Sequence, residues 1–120
     1  MTNTEMNTAA TAAAAEKGLE HKGFAYVVMT SNDHEDVYDR DFDGPRVLAV
    51  CDSLEAARVL FKREWASIKS ETDDEDRTFE DECTDDDSAK CSARREVYCD
   101  GEFEAAYSVW VSEQDLFTLA

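Results

Sequence analysis

Apolar side chains recur every three or four residues through the middle of the chain, which is the spacing of one face of an α-helix. The pattern predicts a short apolar strand over residues 47–51, a helix start at Asp52, and a helix that ends near Lys69. Asp52 is the expected cap because Glu55, three residues later, completes a capping-box pattern. The apolar helix face comprises Leu54, Ala57, Phe61, Trp65 and Ile68.

Three further segments have the composition or the alternation of β-strands. Residues 24–30 carry apolar side chains on both faces, which indicates a strand with a neighbour on either side. Residues 94–99 and 102–111 flank Asp100-Gly101, a dipeptide that favours a two-residue hairpin turn. Residues 112–115 have the composition of a cap for a short terminal turn, which would carry Leu116, Phe117 and Leu119.

The elements therefore follow the order strand, strand, helix, strand, strand. This order predicts an α+β fold in which a four-stranded antiparallel sheet packs one main helix on one face. Residues 1–22 lack an apolar stripe and are predicted to form a flexible N-terminal arm. Residues 23–120 are predicted to form one domain that contains an acidic insert at residues 70–93.

The net charge of the protein limits the kinds of molecule that it is expected to bind. The chain of 120 residues has a formal net charge of −17, which repels nucleic acid and anionic membranes. We therefore expect a basic protein surface as the partner, with no direct binding to nucleic acid or membrane. The sequence shows neither a signal peptide nor a membrane span, so a cytoplasmic protein is expected.

The cysteines and a short aspartate motif are the candidates for metal binding. Cys83, Cys91 and Cys99 are spaced by eight residues, whereas zinc ligand pairs have gaps of two to four, so free thiols are favoured for these and Cys51. Asp39, Asp41, Asp43 and Gly44 match the opening of a calcium loop, but Val50 occupies the position that requires a bidentate Glu. We predict no metal and no cofactor.

A catalytic site is not indicated. His21 and His34 are the two histidines, and neither is next to a recognisable nucleophile motif. The chain has four glycines and no glycine-rich phosphate loop. Because no reactive set of side chains converges, we predict a protein that is not an enzyme.

Residues 71–87 contain eleven acidic residues and a single cation, Arg77. Because the segment has too few apolar residues to bury, we predict a long loop that is either disordered or functional. Alternate residues of an extended chain lie about 6.6 Å apart, which is close to the spacing of adjacent phosphates. The segment could mimic nucleic acid, or serve only to keep the protein soluble or adapted to high salt. It could also fold back on Arg58, Lys62 and Lys69. The candidate partner contacts are Asp73, Asp74, Glu75, Asp76, Glu80, Asp81, Glu82, Asp85, Asp86 and Asp87.

In size, charge, acidic segment and strand-helix-strand layout, the chain resembles small acidic accessory proteins of phages and mobile elements, including anti-CRISPR and anti-restriction proteins. The resemblance implies an inhibitor in the host cytoplasm that occupies the nucleic-acid-binding groove of a CRISPR effector or another nuclease. The alternative is a protein–protein interaction domain that binds through exposed apolar residues. Its contacts would be Val59, Trp110 and the tail at residues 116–119.

Overall fold

The computed structural model of this protein describes residues 18–34, 44–86 and 90–119. Within these ranges the chain forms one helix and one antiparallel sheet of five strands. The strands are β1 (Leu19–His34), β2 (Arg46–Cys51), β3 (Thr78–Asp85), β4 (Cys91–Cys99) and β5 (Glu102–Leu119), and the helix is α1 (Leu54–Glu71).

The strand order across the sheet is β2-β1-β5-β4-β3, and every neighbouring pair is antiparallel. Helix α1 packs on β1, β2, β4 and β5. The predicted α+β class, with one helix against an antiparallel sheet, is confirmed. The predicted four strands in ββαββ order are wrong, because the acidic segment contributes a fifth strand, β3, between the helix and β4.

Helix α1 follows the predicted apolar pattern closely. Ala57, Phe61, Trp65 and Ile68 are buried, and Leu54 is partly buried against the same core. The N-cap is Ser53 rather than the predicted Asp52, because the Ser53 hydroxyl accepts a hydrogen bond from the backbone N–H of Ala56 at 3.1 Å. No helix that the structure describes is both long enough and apolar enough to cross a bilayer.

The core lies between α1 and one face of the sheet. Val28 of β1 and Val109 of β5 are fully buried there beside Phe61. On β4 the buried positions are Cys91, Ala93, Arg95 and Val97, which alternate with more exposed residues. Since successive side chains of a strand point to opposite faces, Trp110, which pairs with Ser92, lies on the face of the sheet away from the helix.

Strands β1 and β5 are longer than the sequence pattern predicted. They pair from Leu19 opposite Leu119 to His34 opposite Ala105. The terminal turn predicted after Ser112 is wrong, since these residues continue β5. Strand β1 also begins inside the segment predicted as a flexible arm, of which residues 1–17 lie outside the described residues. Continuous pairing between the two strands supplies backbone partners that a local pattern does not reveal.

The hairpin between β4 and β5 forms where it was predicted. Asp100 and Gly101 both have positive φ, at 54° and 82°. Two successive residues with positive φ are the requirement of a tight hairpin turn whose twist matches that of its strands. The Asp-Gly dipeptide therefore determines this connection locally.

Candidate functional site: the acidic edge of the sheet

The acidic segment is a strand at the edge of the sheet. Strand β3 pairs with β4 in register from Thr78 opposite Tyr98 to Asp85 opposite Cys91, and its other edge pairs with no strand among residues 18–34, 44–86 and 90–119. The predicted loop over residues 78–85 is therefore wrong. Asp and Glu are poor strand formers, but charged residues are common on edge strands because they prevent pairing with other molecules.

One face of β3 is attached to the domain through Asp81. Its carboxylate accepts two hydrogen bonds from Arg95, from Nε at 2.8 Å and from Nη2 at 2.7 Å. Arg95 also donates to the Lys69 carbonyl and to the Thr72 hydroxyl, both at 3.2 Å, and its guanidinium lies 4.3 Å from the centre of the Phe79 ring. The hydrogen bond with Asp81 raises the pKa of Arg95. This one cation thus connects β3 and β4 to the end of α1.

The other end of β3 is attached through Asp85. The carboxylate accepts a hydrogen bond from Arg58 Nε at 3.0 Å and lies 3.4 Å from Lys62 Nζ. The prediction that the acidic segment folds back on the helix is confirmed for these two cations. Lys69 instead lies over the Trp65 ring, 5.3 Å from its centre. Asp81 and Asp85, which were predicted to contact a partner, are therefore engaged within the domain.

Asp85 has a pKa below its usual value. Partial burial opposes this shift, but hydrogen bonds from Arg58, Cys91 and Lys62 outweigh it. A lowered folded-state pKa adds stability above the ordinary carboxyl pKa of about 4, and that stability is lost as the pH falls through the folded-state pKa.

We therefore expect Asp85→Asn to be less stable than the wild type at pH 7, with a difference that shrinks as the pH falls below 4. Urea denaturation at pH 7, 5 and 3 measures this difference. Glu82→Gln is the matched control, since Glu82 lies on the same strand with its side chain on the other face. A destabilisation by Asp85→Asn that stayed constant at every pH would contradict the role of the ionised carboxylate.

The cysteine that contacts Asp85, Cys91, is not a reactive thiol. All four are free thiols, and Cys91 is buried with its sulfur 3.5 Å from Asp85 Oδ1. Burial, followed by the hydrogen bond to Asp85, raises the pKa of Cys91 to about 11, so this thiol stays protonated and is a poor nucleophile. The described residues contain no group of three or more His, Cys, Asp or Glu side chains that could hold a metal ion.

The remaining acidic residues face solvent on ordered backbone. Asp74 organises the connection before β3, since its carboxylate accepts from the Asp76 N–H at 2.9 Å and its carbonyl accepts from the Arg77 N–H at 3.1 Å. We define the acidic edge as six exposed residues, none of which forms an ion pair within the part of the chain that the structure describes. They are Asp73, Asp74, Glu75, Asp76, Glu80 and Glu82.

Two other predicted contacts complete the segment. Asp86 is exposed just beyond β3, and Asp87 lies outside the described residues.

Glu80 lies 3.5 Å from the hydroxyl of Tyr98, which donates to Glu96 at 2.6 Å. The hydrogen bond to Glu96, together with partial desolvation, raises the pKa of Tyr98 to about 12. The phenol is therefore a neutral donor between two carboxylates.

His21 is separated from this site. His21 Nε2 lies 2.9 Å from Asp115 Oδ1, and the rings of Phe24 and Phe117 are each 5.3 Å from the imidazole. The pair connects β1 to β5 near their outer ends, and the sequence analysis did not identify it because the partners are 94 residues apart. The side chain of His34 and the aspartates of the calcium-loop pattern, Asp39, Asp41 and Asp43, are outside the described residues.

The alternative apolar contacts do not form one surface. Val59 is exposed on α1, Trp110 is partly buried on the opposite face of the sheet, and Leu116 and Leu119 are exposed near the end of β5. A different apolar surface, which the sequence pattern did not indicate, lies on β2. On edge strand β2, Val47 is 56% exposed, Leu48 42% and Val50 68%. The apolar run of residues 47–51 predicted a strand but did not indicate that this strand lies at the edge of the sheet.

Comparison of the chain with models of known protein families, with curated proteins and with solved structures found no match to any of them.

Proposed function

We propose that this protein is a non-enzymatic binding module whose acidic edge engages a cationic surface on another protein. The observation that carries the proposal is the division of the carboxylates on and around β3. Asp81 and Asp85 are paired with Arg95, Arg58 and Lys62 and hold the strand in place. The six residues of the acidic edge remain directed to solvent from a strand and a hydrogen-bonded turn.

An ordered edge favours binding over simple solubilisation. A backbone that is already held in a strand and a turn loses less conformational entropy on association than a disordered segment does, so more of the electrostatic attraction appears as affinity. Glu80 and Glu82 alternate on one face of β3 and lie about 6.6 Å apart by strand geometry. A groove that binds phosphates neutralises them with Lys and Arg, and these cations would also attract carboxylates.

The expected partner is therefore a protein whose basic groove otherwise holds nucleic acid. In its narrower form the proposal is an inhibitor of a host-defence nuclease, acting in the host cytoplasm. This form is supported by the general resemblance to anti-CRISPR and anti-restriction proteins, and no contact within the domain selects a particular nuclease. Electrostatic steering would make association fast, and the affinity would fall steeply with salt.

The test replaces three carboxylates of the acidic edge without changing side-chain size. The triple variant Glu75→Gln, Glu80→Gln and Glu82→Gln is expected to reduce capture of the partner from host lysate at least tenfold. The matched control is the triple variant Glu55→Gln, Glu102→Gln and Glu113→Gln, which changes the net charge by the same amount at exposed positions elsewhere. The control is expected to capture the partner as the wild type does.

Two further readouts decide the mechanism. The captured protein should be released by 0.5 M NaCl and by an added nucleic-acid duplex, since both compete for the same cationic groove. Equal capture by the two triple variants would overturn the proposal, as would a complex that resists salt. If the acidic-edge variant captured normally but lost solubility, the segment would serve only to keep the protein in solution.

A further inference from the structure

We infer that strand β2 pairs with β2 of a second copy of this chain, in an antiparallel arrangement that joins two sheets into one of ten strands. The outer edge of β2 has no partner strand among the described residues. This inference uses the edge of the sheet opposite to the acidic edge and does not depend on the proposed function.

The two edges of the sheet have opposite chemistry. Strand β3 is lined with carboxylates, which block pairing with another strand. Strand β2 runs Arg-Val-Leu-Ala-Val-Cys, so five consecutive residues carry no charge. Val47, Leu48 and Val50 are all exposed there. An exposed apolar edge strand is a template for a further strand, and no charge interrupts residues 47–51 to block such pairing.

The sequence around β2 is complementary to itself. The pairing of β2 with β1 skips Leu48 as a β-bulge. When the outer edge of β2 keeps a regular antiparallel register about a two-fold axis through Ala49, Arg46 lies opposite Asp52 of the second copy, and Leu48 lies opposite Val50 of the second copy. Because the axis relates the copies, each of these pairs forms twice. The interface then has an uncharged centre and an opposite-charge pair at each end, and both kinds of cross-strand pair are stabilising.

The net charge of −17 on each copy opposes association but does not exclude it. In the joined sheet the two acidic edges lie at opposite ends, separated by nine inter-strand spacings, or roughly 43 Å for spacings of about 4.8 Å. Ionic screening at physiological salt acts over about 8 Å. Repulsion between the acidic edges is therefore screened, and the short-range contacts at β2 decide whether the copies pair.

Sedimentation equilibrium of the full chain, from micromolar to millimolar concentration, tests this inference. The wild type is expected to reach twice the mass of one chain. Val50→Lys should raise the dimer dissociation constant at least tenfold, because it places an ammonium group against Leu48 of the second copy. Val59→Lys is the matched control, since Val59 is 53% exposed on the helix, and it should leave the dimer intact. Both substitutions reduce the negative charge equally, so general repulsion cannot cause the difference.

The register has its own test. Arg46→Asp should weaken the dimer, and the double variant Arg46→Asp, Asp52→Arg should restore it, because the charges exchange places across the two-fold axis. Thermal melts of the dilute monomers confirm that each variant is folded. A wild type that stays monomeric at millimolar concentration would overturn the inference. A dimer equally sensitive to Val50→Lys and Val59→Lys would also overturn it.

Salt separates this inference from the proposed function. Added salt should strengthen the dimer, because it screens repulsion between two acidic copies and favours apolar burial. The same salt should weaken the complex formed by the acidic edge. The dimer and the complex therefore respond to one variable in opposite directions, and either can fail without the other.

Discussion

Replacing Phe61 with Ala is expected to lower the free energy of unfolding by about 3–5 kcal/mol, the usual range for removing a buried phenyl ring. Phe61 is 1% exposed and lies in the core cluster with Val28 and Val109, both of which are fully buried. The loss has two parts. The favourable free energy of transferring the ring from water to the core is lost, and the cavity left by the ring adds a further cost. Neighbouring strands cannot close this cavity, because their positions are set by backbone pairing on both sides.

Guanidinium denaturation of the full chain measures this effect. Val59→Ala is the control, because it removes an apolar side chain from an exposed position of the same helix and should change stability by less than about 0.5 kcal/mol. Phe61→Leu should fall between the two, since Leu refills part of the volume. A loss for Phe61→Ala no larger than that for Val59→Ala would show that α1 does not pack on the sheet through this face.

Replacing Arg95 with Ala is expected to lower the free energy of unfolding by about 2–4 kcal/mol. The substitution removes four hydrogen bonds and the contact with the Phe79 ring, and it leaves Asp81 without its cation. Removing one member of a fully buried ion pair costs roughly 3–5 kcal/mol. The side chain of Asp81 is 34% exposed and can be partly rehydrated, which places the expected loss below the top of that range.

The adjacent residue provides the control for this substitution. Arg94→Ala removes the same charge from a side chain that is 43% exposed, and we expect a change below about 0.5 kcal/mol. Hydrogen exchange of the β3 amides should rise in Arg95→Ala and stay unchanged in Arg94→Ala. If the two variants had equal stability, the Asp81–Arg95 pair would not be what holds β3 in the sheet.

The Arg95 variant also bears on the proposed function. It makes the protein more negative without altering any residue of the acidic edge. If charge alone determined binding, Arg95→Ala would bind a cationic partner at least as well as the wild type. If the ordered strand matters, capture should fall as β3 loses its attachment, and Arg94→Ala, with the same charge, should retain it.

Local sequence patterns were sufficient to predict those elements that are determined by residues close together in the chain. The stripe through Phe61 and Trp65 predicted the buried face of α1, and Asp100-Gly101 predicted the hairpin between β4 and β5. The helix cap was misassigned by one residue, since Asp52 and Ser53 are both good caps and backbone geometry selects Ser53. A composition rule also identified the acidic segment as a candidate site, although it did not show which carboxylates face outward.

These local patterns did not predict the edge strand β3. Strand β3 has only Phe79 and Cys83 as apolar residues, so neither hydrophobic alternation nor strand propensity predicted it. It forms because β4 offers a complementary backbone edge and because Arg95 and Arg58 hold two of its carboxylates. The extensions of β1 and β5 depend in the same way on residues up to 100 positions apart, as in the pairing of Leu19 with Leu119.

The sequence by itself determined the helix, its buried face, the hairpin and the strongly acidic character of the protein, because these depend on near neighbours or on composition. Only the tertiary structure decided that Asp81 and Asp85 pair with cations of the domain while the acidic edge faces solvent, and that no described strand pairs with the outer edge of β2. The physical reason is that the side of a strand, and whether it lies at an edge, are set by its neighbours in the sheet, which are distant in the chain.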